Sequence, residues 1–385
     1  MRPAIAMNML AGLGWFQHRR SRMPLSDLTI DALTKGSALS DPTTTTLIGK
    51  RSSMCAEARL AGVLEILGLS DTATVSAFPA TPTPWASTYS VAGDGIRRVA
   101  RLIDLEFAEE GVVPTEFRAA QVLGKHGIGP RVEYADPVSG VLVMDEILGA
   151  PATRPIVHWQ ALSLARVLRE LHTLDMDGEP RLHEGKINSA RSGVARLTPR
   201  IPELAIYSEA SERFDSLRAE LGQLGVEDRL CHNDLNRGNV LFDGMRAWLI
   251  DFDHLGFGDP LYDLANAMLS LGIEGVLLEK FLEAYFDRPV EASEAARLEL
   301  MACLVLLRYG LSALSLVPDH LHDRMGTWTS EMLGDPFDFA RRENEEVGWL
   351  VFRLSLSFTH AGLARLEAGP ATRAAGTLGL PGAWA

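Results

Sequence analysis

A few polar residues in two neighbouring stretches carry most of the chemical information in this chain. From Leu230 to Phe242 the sequence reads Leu-Cys-His-Asn-Asp-Leu-Asn-Arg-Gly-Asn-Val-Leu-Phe, which sets His232, Asp234 and Asn239 in the spacing H-x-D-x-x-x-x-N. A second stretch, Trp248-Leu-Ile-Asp-Phe-Asp-His254, closes a hydrophobic run on Asp251. An acceptor-only carboxylate can orient an incoming hydroxyl, and an amide oxygen with a second carboxylate can hold a divalent cation against polyphosphate oxygens. Those are the few parts that phosphoryl transfer needs. Asp234, Asn239 and Asp251 are the right types for the three jobs. Singly, each is an ordinary turn residue; the ordered set, joined through Asp243-Gly244, is what points to chemistry. That dipeptide predicts a hairpin with positive φ at both central positions, which returns Asp251 to the same open end as Asn239, where one ion could bridge both.

These residues resemble the aminoglycoside phosphotransferase and choline kinase superfamily, relatives of the protein kinases. The form H-N-D-L-x-x-G-N-V-L, then L-I-D-F-D-H-x-G-x-G-D-P-x-Y-D-L-A-N, is most similar to the choline/ethanolamine kinase branch. The likeness is sharp from Arg229 to Asn266, fainter over 56–174 and absent before residue 54. It implies an α+β, bilobal protein-kinase-like fold: a small N-terminal lobe with an antiparallel sheet plus a helix, and a large, mainly helical C-terminal lobe. It also implies Mg²⁺, ATP as co-substrate and a small-molecule hydroxyl as acceptor, with choline or ethanolamine first and an aminoglycoside, macrolide or sugar as alternatives. By the same likeness Asp234 is the catalytic base, His232 braces its loop, and Asn239 and Asp251 are the metal ligands. Asp253 and Asp263 become substrate or supporting groups, and a helix-terminal structural role fits Asp263 equally well.

The resemblance places a cation on a central strand of the small lobe, over the nucleotide phosphates and held by a helix glutamate. Only five of the 37 basic residues are lysines, and none lies between Lys50 and Lys125. Arg101 in Val-Ala-Arg-Leu is therefore the candidate, with Glu116 in Thr-Glu-Phe-Arg as its partner. A guanidinium can grip phosphate oxygens with two parallel bonds. The loop before the strand departs from the family's glycine-rich form: 79–89 offers prolines, which lack an N–H donor, and hydroxyls, of which Ser87 and Thr88 could meet phosphate. This departure keeps open a catalytically silent binding protein on the same fold. Met144-Asp145-Glu146-Ile147 would form the hinge, with backbone groups of Asp145 and Ile147 reading adenine.

The surrounding elements are those such a site requires. Helical spacing over 56–67 precedes two strands, 85–91 and 97–103, joined at Gly93-Asp94-Gly95; a helix over 115–125 and strands over 131–134 and 141–144 follow. The expected domains are an N-terminal extension over 1–53, a small lobe over 54–148 and a large lobe over 149–385, with Gly149-Ala150-Pro151 as a linker. Helices are predicted over 159–174, 201–224, 261–271, 277–285, 292–316 and 345–367, interrupted by a β insertion over 240–250.

Composition narrows the function. A hydrophobic share of 46% over 385 residues supports one large or two moderate cores. The net charge of −13 argues against a nucleic-acid partner and is compatible with a cationic substrate. Residues 1–60 hold eight basic and four acidic groups, so the remainder is more acidic still, at −17. Cys55, Cys231 and Cys303 are too far apart for a zinc or disulfide framework. The longest apolar run, Leu298 to Val317, carries Glu299 and Arg308 and reads as a buried helix; the expectation is a cytoplasmic enzyme with no membrane span. His172 reads as a packed histidine at a helix end. No Walker, zincin or serine-hydrolase motif is present.

Overall fold

The computed structural model describes residues 56–69, 73–78, 86–106, 112–176, 195, 197, 200–339, 342 and 345–384. The extension expected over 1–53 and the prolines of the phosphate loop, within 79–85, lie outside the described residues. The chain divides into two compact units between Ile147 and Leu148.

In the first unit a five-stranded antiparallel sheet has the order β1-β2-β3-β5-β4. Its strands are β1 (Thr74–Ala77), β2 (Ala86–Gly93), β3 (Ile96–Ile103), β4 (Val132–Asp136) and β5 (Val141–Asp145). Asp94 and Gly95, at φ 50 and 77, make the two-residue turn between β2 and β3, with Gly93 facing Ile96. This is the left-handed pair that matches strand twist. Alternation splits the sheet into two faces. One carries Val91, Ala100, Leu102, Val141 and Val143 and packs on Leu60, Val63 and Leu64 of helix α1 (Ala56–Ile66). Helix α2 (Val112–Lys125) reaches Arg101, which projects from the other face.

The second unit is mainly helical: α3 (His158–His172), α4 (Ala205–Gly222), α5 (Pro260–Leu271), α6 (Gly275–Phe286), α7 (Ala292–Leu314), the single turn α8 (His322–Met325), α9 (Val347–Glu367) and α10 (Gly369–Leu378). Helix α7 is its axis, with α4, α5, α9 and α10 packed around it. From Leu298 to Leu314 every α7 residue except Glu299 is buried, as the apolar run predicts. Among the described residues no single helix is long and apolar enough to cross a membrane. Two small sheets interrupt the helices. Strands β6 (Ala150–Pro151), β8 (Val240–Phe242) and β9 (Ala247–Leu249) form one; β7 (Arg229–Cys231) and β10 (Gly256–Gly258) form the other.

Two local expectations are corrected. Gly149-Ala150-Pro151 is not a plain linker: Ala150 and Pro151 pair with Phe242 and Leu241. Gly149 lies so close that a Cβ there would sit 2.4 Å from the Phe242 carbonyl oxygen, so only glycine fits. At Asp243-Gly244 only Gly244 takes positive φ, at 93. The loop runs over four residues because the Asp243 carboxylate accepts the N–H groups of Met245 and Arg246, at 2.8 and 2.9 Å, in place of the two-residue turn.

Candidate active site

In the second unit β7 and β10 run antiparallel, with Cys231 opposite Gly256, and between them the chain makes the loop that carries the motif. Helix α5 fixes that loop. Asp259 caps the helix by accepting the Leu261 N–H at 2.9 Å, with Pro260 in the first turn and Gly272 ending it at φ 64. One turn in, Asp263 accepts the backbone N–H of His232 at 2.7 Å on one oxygen and that of Asn233 at 2.8 Å on the other. The His172 ring of α3 meets the same carboxylate at 3.1 Å through Nε2 and the Tyr285 hydroxyl at 2.8 Å through Nδ1. Burial alone would raise the Asp263 carboxyl, but hydrogen bonding and charge from His172, with the backbone N–H of His232, more than offset it and leave it below its ordinary value. A substrate contact for Asp263 is therefore corrected: its side chain has 0% exposure, and both oxygens hold the loop from beneath.

His232 takes the bracing geometry expected of it. Its Nδ1 accepts the Asp234 N–H at 3.3 Å, so Nε2 carries the proton that goes to the Ile250 carbonyl at 3.0 Å. Asn233 is left-handed at φ 64, a conformation asparagine tolerates well. Its Nδ2 reaches the carbonyls of Cys231, His254 and Gly256 at 3.1–3.3 Å, tying the loop to β10 and the residues before it.

Asp234 is buried and held from two sides. Asn236 and Asn239 each offer Nδ2 to its Oδ2, at 3.1 and 3.2 Å, and Tyr309 of α7 donates to its Oδ1 at 2.7 Å. Asn239 also donates to the Asp234 carbonyl at 2.9 Å. With its amino end committed to Asp234, Asn239 keeps its amide oxygen as an acceptor. The Ile250 N–H bonds the Asn239 carbonyl at 3.0 Å, one step beyond the Val240–Leu249 pair, so Asp251 follows directly on the residue that joins Asn239 to His232. Asp251 adopts a left-handed φ of 67. The structure thus brings Asp234, Asn239 and Asp251 into one locality. An amide oxygen beside carboxylates is the all-oxygen donor set that a hard divalent cation takes, so these residues fit Mg²⁺. A second grouping, His172, Cys231 and Asp263, has ligand atoms within 4.8 Å of one another. It fits a metal poorly: burial pushes the Cys231 thiol well up, and Asp263 already serves the loop.

Asp253 lies two residues further on, with its carboxylate 3.5 Å from His254 Nε2. His254 Nδ1 faces Arg308 at 3.4 Å. Arg308 is buried and also donates to the Asn233 carbonyl at 2.9 Å and the Tyr262 hydroxyl at 2.6 Å. Burial opposes its charge, yet the surrounding Tyr262, Tyr309 and Asp234 raise its pKa overall. Asn266, Asn236 and Arg308 were not assigned roles from the sequence, and Tyr309 read there as a core aromatic or a wall for a cationic substrate. The legible signal was Arg308 inside an apolar helix, since a buried cation must find partners.

In the first unit Arg101 Nε lies 3.1 Å from Glu116 Oε1, with side chains 16% and 6% exposed, so helix and strand deliver the expected pair. Thr88 is the cross-strand partner of Arg101 and shares its face. Ser87 pairs with buried Leu102 and points to the α1 side, so its expected place beside Thr88 is corrected: adjacent strand residues cannot face one phosphate together. Asp145 is corrected in part. Its N–H bonds the Arg131 carbonyl at 2.8 Å, and its carboxylate pairs with Arg98 at 3.1 Å and Arg131 at 3.2 Å, which withdraws that N–H from any base. Ile147 is half-buried and closes the unit.

Residues 85–298, more than half of the chain, match the model of the phosphotransferase enzyme family. The chain belongs to that family. A homoserine kinase of Pseudomonas aeruginosa is 32% identical over 167 residues, covering 40% of this chain and 50% of that protein. The protein LicA of Haemophilus influenzae is 31% identical over 87 residues, 21% of this chain and 33% of that one. The chain spans half or less of the length of the curated relatives it matches. Among solved structures, the choline kinase LicA of Streptococcus pneumoniae superposes with a TM-score of 0.56 at 16% identity, over 80% of this chain and all of that one. That likeness shows the fold: this phosphotransferase-family chain has the mixed helix-and-sheet, protein-kinase-like architecture that its motif implied.

Proposed function

We propose that this protein transfers the γ-phosphoryl group of ATP to the hydroxyl of a small molecule bearing an ammonium group, with choline or ethanolamine the leading acceptors. The observation that carries the reading is the locality in the second unit: a buried carboxylate fixed by three donors, bonded to Asn239 and adjoined by Asp251. Asp234 receives the acceptor hydroxyl, orients it in line and takes its proton as the new bond forms. Asn239 and Asp251 would hold Mg²⁺, which when bound neutralises charge on the nucleotide phosphates. Arg101, held by Glu116, grips phosphate oxygens, and Thr88 on the same face offers its hydroxyl. Cytoplasmic placement belongs to the same proposal. The choline reading is supported by the motif form and by the pneumococcal neighbour, a choline kinase. A second acceptor, homoserine, is favoured by the longer match to a homoserine kinase; both acceptors are alcohols with an ammonium group.

The test is ADP release from Mg·ATP in the presence of choline, ethanolamine, homoserine, an aminoglycoside and a sugar, each alone. One of the first three is expected to stimulate release, and Asp234→Asn to abolish the stimulation. Stimulation by the aminoglycoside or the sugar only would reject choline, ethanolamine and homoserine as acceptors, and undiminished turnover in the variant would reject Asp234 as the base.

A further inference from the structure

We infer that Tyr309 is a positioning residue that selects the lone pair of Asp234 offered to the acceptor hydroxyl; the inference rests on the reading of Asp234 above. A carboxylate has about four acceptor positions. On Asp234 the two of Oδ2 are taken by Asn236 and Asn239, and one of Oδ1 by the Tyr309 hydroxyl at 2.7 Å. The position left for an acceptor is the second one on Oδ1, beside the phenol. The phenol is itself fixed: Asn266 of α5 gives it an N–H at 2.9 Å, and its ring lies 5.2 Å from that of Phe358. The phenol has two acceptors in reach, the Asn266 amide oxygen at 3.3 Å and the Asp234 carboxylate at 2.7 Å, and its one hydrogen goes to the nearer and charged one. Burial first, then the Asp234 charge, push this phenol well above its ordinary pKa, so it stays a donor. Rotation of the carboxylate about χ2, which is soft in aspartate, is thereby blocked from a helix 75 residues away in sequence.

Loss of the hydroxyl would let the carboxylate turn and the acceptor drift out of line, whereas nucleotide binding would be left alone. Tyr309→Phe keeps the ring and its packing. With Mg·ATP and choline, and separately homoserine, as acceptor probes, ADP and phosphorylated acceptor are measured independently. The expected result is a fall in kcat of about tenfold to a hundredfold, with KM for ATP within about twofold and more than one ADP released per acceptor phosphorylated, because water competes with a misplaced hydroxyl. Asn266→Ala, which keeps the phenol but frees it, is expected to shift kcat and that ratio the same way by less, and it serves if Tyr309→Phe does not fold. A merely structural role would lower the amount of active protein and leave the ratio at one; that outcome overturns the inference. If Asp234→Asn is inactive while Tyr309→Phe keeps native kcat and ratio, the inference alone fails. If Asp234→Asn retains turnover, the underlying reading has failed instead.

Discussion

The two units hold their polar residues in different ways. In the small unit the groups proposed for nucleotide lie on a sheet face, and Arg101 is held by an ion pair with Glu116 at 3.1 Å. Elsewhere in that unit Arg98, Arg131, Glu133 and Asp145 form half-exposed or exposed pairs. In the large unit the loop from His232 to Asn239 rests on buried donors and acceptors from α3, α5, α7 and β10, nearly all of them satisfied by one another. Exposed ion pairs contribute about 0–1 kcal/mol each, whereas a buried polar group stripped of its partner costs about 1–3 kcal/mol and more if charged. Side chains meeting a flexible polyphosphate can be held loosely, but a carboxylate that must aim one lone pair cannot. Stability and activity should therefore be coupled in the large unit and separable in the small one.

The largest effect expected from that contrast is on Asp263. Asp263→Ala leaves two backbone N–H groups and His172 without their acceptor in a dry site, and should cost about 3–5 kcal/mol in denaturant unfolding, together with loss of activity. A loss below 1 kcal/mol would break the comparison. Next is Arg101. Arg101→Ala should raise KM for ATP about tenfold or more at an unfolding cost of about 1–2 kcal/mol, smaller than that of Asp263→Ala, since the arginine is partly exposed but the Glu116 it leaves behind is buried. A collapse in stability there would show the two units to be alike.

A third effect is a pH dependence. The Asp263 carboxyl is depressed below the ordinary aspartate value, so the unfolded chain binds this proton more readily than the folded one. Its stabilisation is full above the unfolded value and is lost as pH falls through the lower folded value. Asp263→Asn should therefore show a shallower loss of stability than the native protein below about pH 4, with parallel curves above about pH 5. Parallel curves throughout would contradict the assignment. The smallest effect is at the β8–β9 turn, where Asp243→Ala removes two backbone acceptances and the 2.8 Å bond from the Trp248 ring nitrogen; about 1 kcal/mol is expected, with kcat unchanged.

How far the site was legible in the sequence follows the same division. Residues whose placement depends on local spacing could be read: Asp234 and Asn239 lie five apart in one loop, and the hairpin returns Asp251 beside them. Arg101 and Glu116 were legible because a scarcity of lysine left few cations for the strand. Ser87 went wrong because its face is set by strand register, here its pairing with Leu102, which alternation alone does not reveal. The strand at Ala150-Pro151 is two residues long and has no periodicity to detect. Tyr309 and Asn266 look like interior residues of apolar helices, and only the packing of α5 and α7 shows that they meet Asp234. Glu220 is a similar case: a buried acid on α4 that accepts the N–H groups of Gly382 and Ala383, at 3.1 and 2.8 Å, and so fastens a segment 162 residues on. Partners that far apart leave no mark in either local sequence.

The most direct test of the central claim is Mn²⁺ binding, followed by electron paramagnetic resonance, to the ADP-loaded protein. If Asn239 and Asp251 share one ion beside Asp234, Asn239→Ala and Asp251→Asn should each weaken binding by about tenfold or more, and the double variant should lose less than the product of the two. Native Mn²⁺ affinity in both single variants would contradict the account.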